Sequence, residues 1–408
     1  MKEERMMILS MLKEGKISSE EAVKLLEALE NSETKNTIEK DRFIDMDKTK
    51  VKVEEFGDTV KEQGKKVGDI GVDLGNKIAK AFADMRDDIN FDGLLNNTES
   101  LNAKAVMDVS HIENPIIDLK SINGHIFVEN WEEDHILIEI NCRYKDGLLN
   151  AGQSFYELYD MENKIVFAPK YDSKIMMNLK VYLPDRDYEE IHLNTSNGQL
   201  SIEDFNMKNL VLNTTNAAVN VNDINAEEIH LNTKNGKVIL EDINAPIIKA
   251  NSSNASIIVD DISSETFHVN TKNGKITLED IVAQDIIATT ANAPIEVNDI
   301  SSLNIILTTS NSRITLEDID TEIIEYLELS TSNSSINVKL DDINRDIYLD
   351  LETSIGNIDL EIGSLVYEMN KQANLGKKKI IAHSVDLNKE EEHLKLFATT
   401  SNGSIKIY

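Results

Sequence analysis

Residues 191–205 read IHLNTSNGQLSIEDF, residues 210–224 read LVLNTTNAAVNVNDI, and residues 229–243 read IHLNTKNGKVILEDI. The units follow one another at a constant 19-residue step, and the pattern I-x-L-x-T-x-N-G/A-x-I-x-V-x-D-I runs to residue 320. Its asparagines are Asn197, Asn216, Asn235, Asn254, Asn273, Asn292 and Asn311. A fixed period of this order marks a solenoid, in which no unit buries a core alone and stacking supplies it. Ile191, Leu210, Ile229, Ile248, Phe267, Ile286 and Ile305 form one column, and Leu193, Leu212, Leu231, Ala250, Val269, Ala288 and Leu307 the next. Two-residue spacing puts both columns on one strand face. The columns Leu200 to Ile314 and Ile202 to Leu316 repeat this after the asparagine. The expected unit is strand, tight turn, strand and a longer turn closed by the Asp-Ile pair. The expected fold is mainly β, a right-handed parallel β-helix, with handedness taken from the rule for parallel crossovers.

The size of a coil has two readings. Gly198, Gly236 and Gly274 alternate with Ala217, Ala255 and Ala293, and His192, His230 and His268 recur at a 38-residue step. A 19-residue coil is favoured, because a 38-residue turn without longer loops is unusual.

Two polar columns are the candidate sites. The asparagines, with Thr195, Thr214, Thr233, Ser252, Thr271, Thr290 and Thr309 two residues earlier, suit an amide ladder between coils, and asparagine tolerates the positive φ of a tight turn. A surface that reads carbohydrate is the alternative. The second column is Asp204, Asp223, Asp242, Asp261, Asp280, Asp299 and Asp318, continuing to Asp342. Carboxylates one strand spacing apart repel, which makes a calcium ladder conceivable. The G-G-x-G-x-D nonapeptide of calcium β-rolls is absent, and aspartate bonding nearby amides in a turn is preferred. The three histidines are expected to be solvated.

The rest of the chain flanks this rod. Residues 1–30 read as a helical hairpin, with a stop at Gly15 and a capping box of Ser18 and Glu21. Seven acidic against five basic residues there disfavour a DNA-binding role. A hairpin this short needs a partner, either another protein or a second copy, so a homo-oligomer is expected. Residues 31–110 read as a polar linker and an amphipathic helical connector. Within 45–90, Val53, Phe56, Val60, Val67, Leu74, Ile78, Phe82, Met85 and Ile89 fall at helical steps. Gly57, Gly64, Gly68, Gly71 and Gly75 weaken an isolated helix there. A membrane surface is one partner that would order it.

The solenoid with irregular capping strands is assigned to residues 111–408, with regular repeats at 191–320. An early motif copy at Ile117 to Val128 stands well ahead of its next counterpart, and the step from Asn123 to Asn197 is not a multiple of the repeat. The strands between, with Trp131, Tyr144, Phe155, Tyr156 and Tyr159, read as first turns plus a cap whose aromatics pack in its core. Residues 364–392 read as an insertion covering the C-terminal edge, before a last copy ending Asn402, Gly403, Ile405 and Ile407.

Composition narrows the function classes. A net charge of −31 argues against nucleic acid, which needs clustered Lys and Arg. Cys142 is the single cysteine, so neither an intrachain disulfide nor a cysteine zinc site is available. No signal peptide or membrane-spanning run is read, which suits a cytoplasmic or peripheral envelope location. No catalytic triplet, cofactor motif or metal-ligand spacing is read, and no cofactor is expected.

The run Met6 to Leu29, MMILSMLKEGKISSEEAVKLLEAL, resembles the SHOCT-like helical module that opens bacterial envelope-stress proteins of the LiaX type. In those proteins a DUF4097-like strand-repeat region, catalogued as adhesin-like, follows it, and both halves match here in order. The resemblance implies a role in sensing or answering cell-envelope stress. The functional expectation is a non-catalytic, envelope-associated, adhesin-like scaffold. The alternatives are a cytoplasmic regulatory scaffold and a β-helix carbohydrate-active enzyme.

Overall fold

A computed structural model describes residues 98–150, 153–340, 343–372, 376–387 and 392–408. The expected helical hairpin at 1–30 and amphipathic segment at 45–90 lie outside these residues, as does Asp342. The described chain is β throughout. Its N-terminal strands are β1 (Thr98–Asp108), β2 (Ile116–Lys120), β3 (Ile126–Trp131), β4 (His135–Lys145), β5 (Tyr156–Met161), β6 (Lys164–Pro169), β7 (Ile175–Pro184) and β8 (Tyr188–Asn194). The regular coils hold β9 (Leu200–Asn213), β10 (Val219–Asn225), β11 (Glu228–Asn232), β12 (Val238–Asn244), β13 (Ile247–Asn251), β14 (Ile257–Asn270), β15 (Ile276–Thr289), β16 (Ile295–Thr308) and β17 (Ile314–Ile319). The C-terminal strands are β18 (Tyr326–Ser330), β19 (Ile336–Val338), β20 (Ile347–Thr353), β21 (Ile358–Leu360), β22 (Leu365–Lys371), β23 (Lys378–Ser384), β24 (Leu394–Thr400) and β25 (Ile405–Ile407).

Neighbouring coils pair in parallel, each strand beside the equivalent strand of the next repeat, as Val219 with Val238 and Ile229 with Ile248 show. A full turn is therefore one 19-residue coil, and the 38-residue recurrence is a pattern of substitution. The Gly and Ala corners stack on one another: a Cβ built at Gly236 would lie 1.6 Å from the Ala217 carbonyl oxygen. The inward columns are closed to solvent, with Ile191, Leu210, Ile229, Ile248, Phe267 and Ile286 all at 0 % exposure.

Each coil has three corners, one more than expected. Inward and outward residues alternate through Leu200, Ser201, Ile202 and Glu203, but Asp204 also points out before Phe205 turns in. The ladder accordingly pairs Glu203 with Asn222 and Phe205 with Ile224, skipping Asp204. A second pair of outward residues, Lys208 and Asn209, breaks the alternation before Leu210. The expected long turn after the Asp-Ile pair is thus a third short strand run. Ile224, Ile243, Ile262 and Ile281 bury against the core there.

Positive φ also falls elsewhere than expected. It belongs to the aspartates, at 63° for Asp204 and 48–54° for Asp223, Asp242, Asp261, Asp280, Asp299 and Asp318. Of the asparagine corner, Asn123 alone adopts it, at 55°. Aspartate, like asparagine, enters the left-handed region at low cost because its short polar side chain can bond locally.

Chain order and stacking order part at both ends. Residues 116–131 stack directly beneath the first regular coil, Ile117 beside Ile191 and Ile126 beside Leu200. β6 and β7 make the coil below, parallel to β2 and β3. Beyond them β4 pairs antiparallel with β7, β1 with β4, and β5 with β6. Residues 98–108, read as connector, are therefore the outermost strand of this cap. At the other end β24 and β25 lie between coil β18–β19 and coil β20–β21. The β22–β23 hairpin then covers β20 through an antiparallel pairing with β23.

Candidate interaction surface along the solenoid corners

The asparagine corner forms a continuous amide ladder. Each Nδ2 donates to the Oδ1 of the coil on its N-terminal side, from Asn216 to Asn197 and onward through Asn235, Asn254, Asn273, Asn292, Asn311, Asn333 and Asn402 at 2.5–2.7 Å. Asn197 donates likewise to Asn123, which in turn donates to the Ile175 carbonyl. At the far end Ile355, 72 % exposed, stands where an asparagine would continue the series. Beneath the amides, the buried hydroxyls from Thr195 to Thr309 donate to backbone carbonyls of the preceding coil at 2.8–3.4 Å. These groups would be costly to bury unpaired, and the stack satisfies them.

A second amide series escapes the pattern as first read. Asn232 donates to Asn213 and Asn251 to Asn232, at 3.2 and 3.3 Å. Its signal is the asparagine closing IHLN, LVLN and IKAN. Two of the three histidines have acidic partners: His192 lies 3.6 Å from Asp118, and His230 lies 2.7 Å from Glu228.

All seven aspartates of the regular coils are exposed. A shallow groove of about 370 Å³ runs across three coils, lined by Asp223, Asn225, Asp242, Asn244, Asp261 and Ser263. The Asp242 carboxyl is held above its ordinary value by lost hydration, then by the charge of Asp261 and a hydrogen bond shared with it. Asp280 is raised by lost hydration and then by its hydrogen bond and charge interaction with Asp299. Like charges at strand spacing oppose joint ionisation. Among the described residues no three His, Cys, Asp or Glu side chains converge to hold a metal.

The cap aromatics divide between two environments. Phe155 and Tyr144 are buried, at 4 % and 9 % exposure. Trp131 instead lies partly exposed, stacked on Tyr182 at 5.3 Å with its Nε1 donating to the His135 carbonyl. Lys180 sits 4.8 Å from the centre of the Tyr182 ring. Tyr159 is 38 % exposed. Core packing of the cap thus holds for only part of this group, because strand alternation turns the others outward.

Comparison with known proteins adds a family context. Residues 3–34 match the SHOCT-like domain model, and residues 159–281 match the Toastrack DUF4097 model. Protein YvlB of Bacillus subtilis (strain 168), itself uncharacterised, is 27 % identical over 221 residues, covering 53 % of this chain and 58 % of that protein. The match thus spans little more than half the length of this relative. A crystal structure of a proposed cell adhesion protein from Clostridium sporogenes aligns with 76 % of this chain and 99 % of its own, at a TM-score of 0.22 and 9 % identity. One of a proposed adhesin from Bacteroides fragilis aligns with 76 % of this chain and 97 % of its own, at 0.25 and 10 %. Superpositions this loose leave the fold to be argued from the strands themselves. A match to the SHOCT-like domain model at residues 3–34 thus precedes a match to the Toastrack DUF4097 model that runs from cap strand β5 through the regular coils into β15.

Proposed function

We propose that this protein is a non-catalytic, adhesin-like scaffold that works at the cell envelope in the response to envelope stress. The observation that carries the reading is how the repeat uses its polar groups. The threonines and asparagines of each coil bond the coil beneath, so the repeated chemistry builds a stiff rod and leaves an acidic outer corner. The order of SHOCT-like module and Toastrack region supports the envelope role by analogy with LiaX-type proteins. Peripheral membrane contact through residues 45–90 belongs to this reading, as does self-association through the N-terminal hairpin. A cytoplasmic regulatory scaffold is the competing reading.

Fractionation of native cells, paired with co-sedimentation of the full chain on anionic and neutral vesicles, separates the two. Recovery in the envelope fraction and binding that weakens with salt would support the proposal. Purely cytosolic recovery with no vesicle binding would sink it.

A further inference from the structure

The two ends of the solenoid leave four strand edges among the described residues, and three of them are blunted. β21 is only three residues long. β22 is broken by a bulge between Tyr367 and Met369. β5 spans six residues and carries Glu157 and Asp160. Shortness, bulges and charge are the devices by which proteins keep sheet edges from pairing with other chains. β1 has less of this protection. Its 11 residues, TESLNAKAVMD, pair with β4 in one unbroken register, and among the described strands it has no partner on its other side.

The residues of β1 suit a second copy. Leu101 and Ala103 share the parity of the buried Ala105 and Met107, yet Leu101 is 39 % exposed and Ala103 only partly covered. The core is therefore left open along this edge. In an antiparallel pairing of β1 with another β1, the strands overlap along their whole length only when Ala103 faces Ala103. That register sets Leu101 against Ala105, Asn102 against Lys104, Glu99 against Met107 and Asp108 against Thr98. No like charges meet, and inward residues face inward ones, which an isologous two-fold contact requires. The chain's charge of −31 disfavours side-by-side association of rods. β1 carries one lysine against two acids, so an end-to-end contact avoids most of that repulsion.

We propose that β1 is a dimerisation edge, at which two copies join end to end by antiparallel β1–β1 pairing about Ala103. β1 is a different segment of the chain from residues 1–30, and the contact does not depend on the envelope reading.

Cysteine cross-linking of the full chain tests the register. Facing Cα atoms in an antiparallel pair lie about 4.5–5.5 Å apart, within disulfide range. Ala103→Cys should therefore give a covalent dimer on oxidation. Asn102→Cys mixed with Lys104→Cys should cross-link about tenfold more than either alone, since like positions sit on the diagonal at about 7–8 Å. Both residues of that pair are on the outer face, so the substitutions spare the core, and buried Cys142 does not compete. Thr277→Cys, on a central coil, reports collisional background. Dimer formation through the hairpin alone would leave the three β1 variants at that background. Such a result, in chains shown to be folded by circular dichroism, would overturn the proposal.

Discussion

At the scale of single residues, one unit of the repeat contains two polar positions with different duties. Asn254 donates to Asn235 and accepts from Asn273, both at about 2.6–2.7 Å. Asn254→Ala removes both bonds at an exposed site. With about 0.5–1.5 kcal/mol net for each, the expected loss is about 1–3 kcal/mol, read as a lower urea midpoint at constant slope. The acidic corner behaves in the opposite sense. A carboxyl raised in the folded state binds its proton more tightly there than in the unfolded chain. Ionised Asp242 therefore weakens the fold above both values, and the penalty fades as pH falls through the raised value toward 3.8. Asp242→Asn should raise the melting temperature at pH 7, and the gain should shrink as pH falls and be lost below the ordinary carboxyl value of 3.8. Asparagine keeps the left-handed corner, so a loss at pH 7 would contradict the account. Which column took the positive φ was not legible in the sequence, because Asn and Asp tolerate it equally. The alternation broken at Glu203 and Asp204 was the available clue.

At the scale of elements, the sequence showed the strands whose inward columns repeat, and it missed the third run because that run is short. Ile224 and Ala226, like Ile243 and Ala245, give it only two inward positions, too few for alternation to stand out from a turn. The end strands were legible as strands but their stacking was not. Nothing local records that β24 enters between β18 and β20, since all three carry the same inward aliphatics. The β22–β23 hairpin covers Leu349 and Leu351 of β20, both 0 % exposed. Replacing residues 363–386 by a short Gly-Ser linker should uncover that edge and produce concentration-dependent association beyond the native state, seen by light scattering. An unchanged mass distribution would show that the hairpin is not an edge cover.

For the molecule as a whole, the repeat fixes the architecture and leaves the role to the ends and the outer surface. The alternating Gly and Ala corners suggested a 38-residue coil as one reading, and the strand register assigns the shorter one. Both amide ladders follow from that register, since an Asn column at one strand spacing exists only if a single repeat unit makes a full turn. Spin labels at Ser201 and Thr315, outward residues of one column six coils apart, measure it directly. At about 4.8 Å per coil their separation is about 29 Å. Deleting residues 248–285, which joins Ile247 to Ile286 in register, should leave a folded rod with the labels about 19 Å apart. A shortening of about 5 Å, the value for a 38-residue coil, or loss of the cooperative transition, would contradict the account.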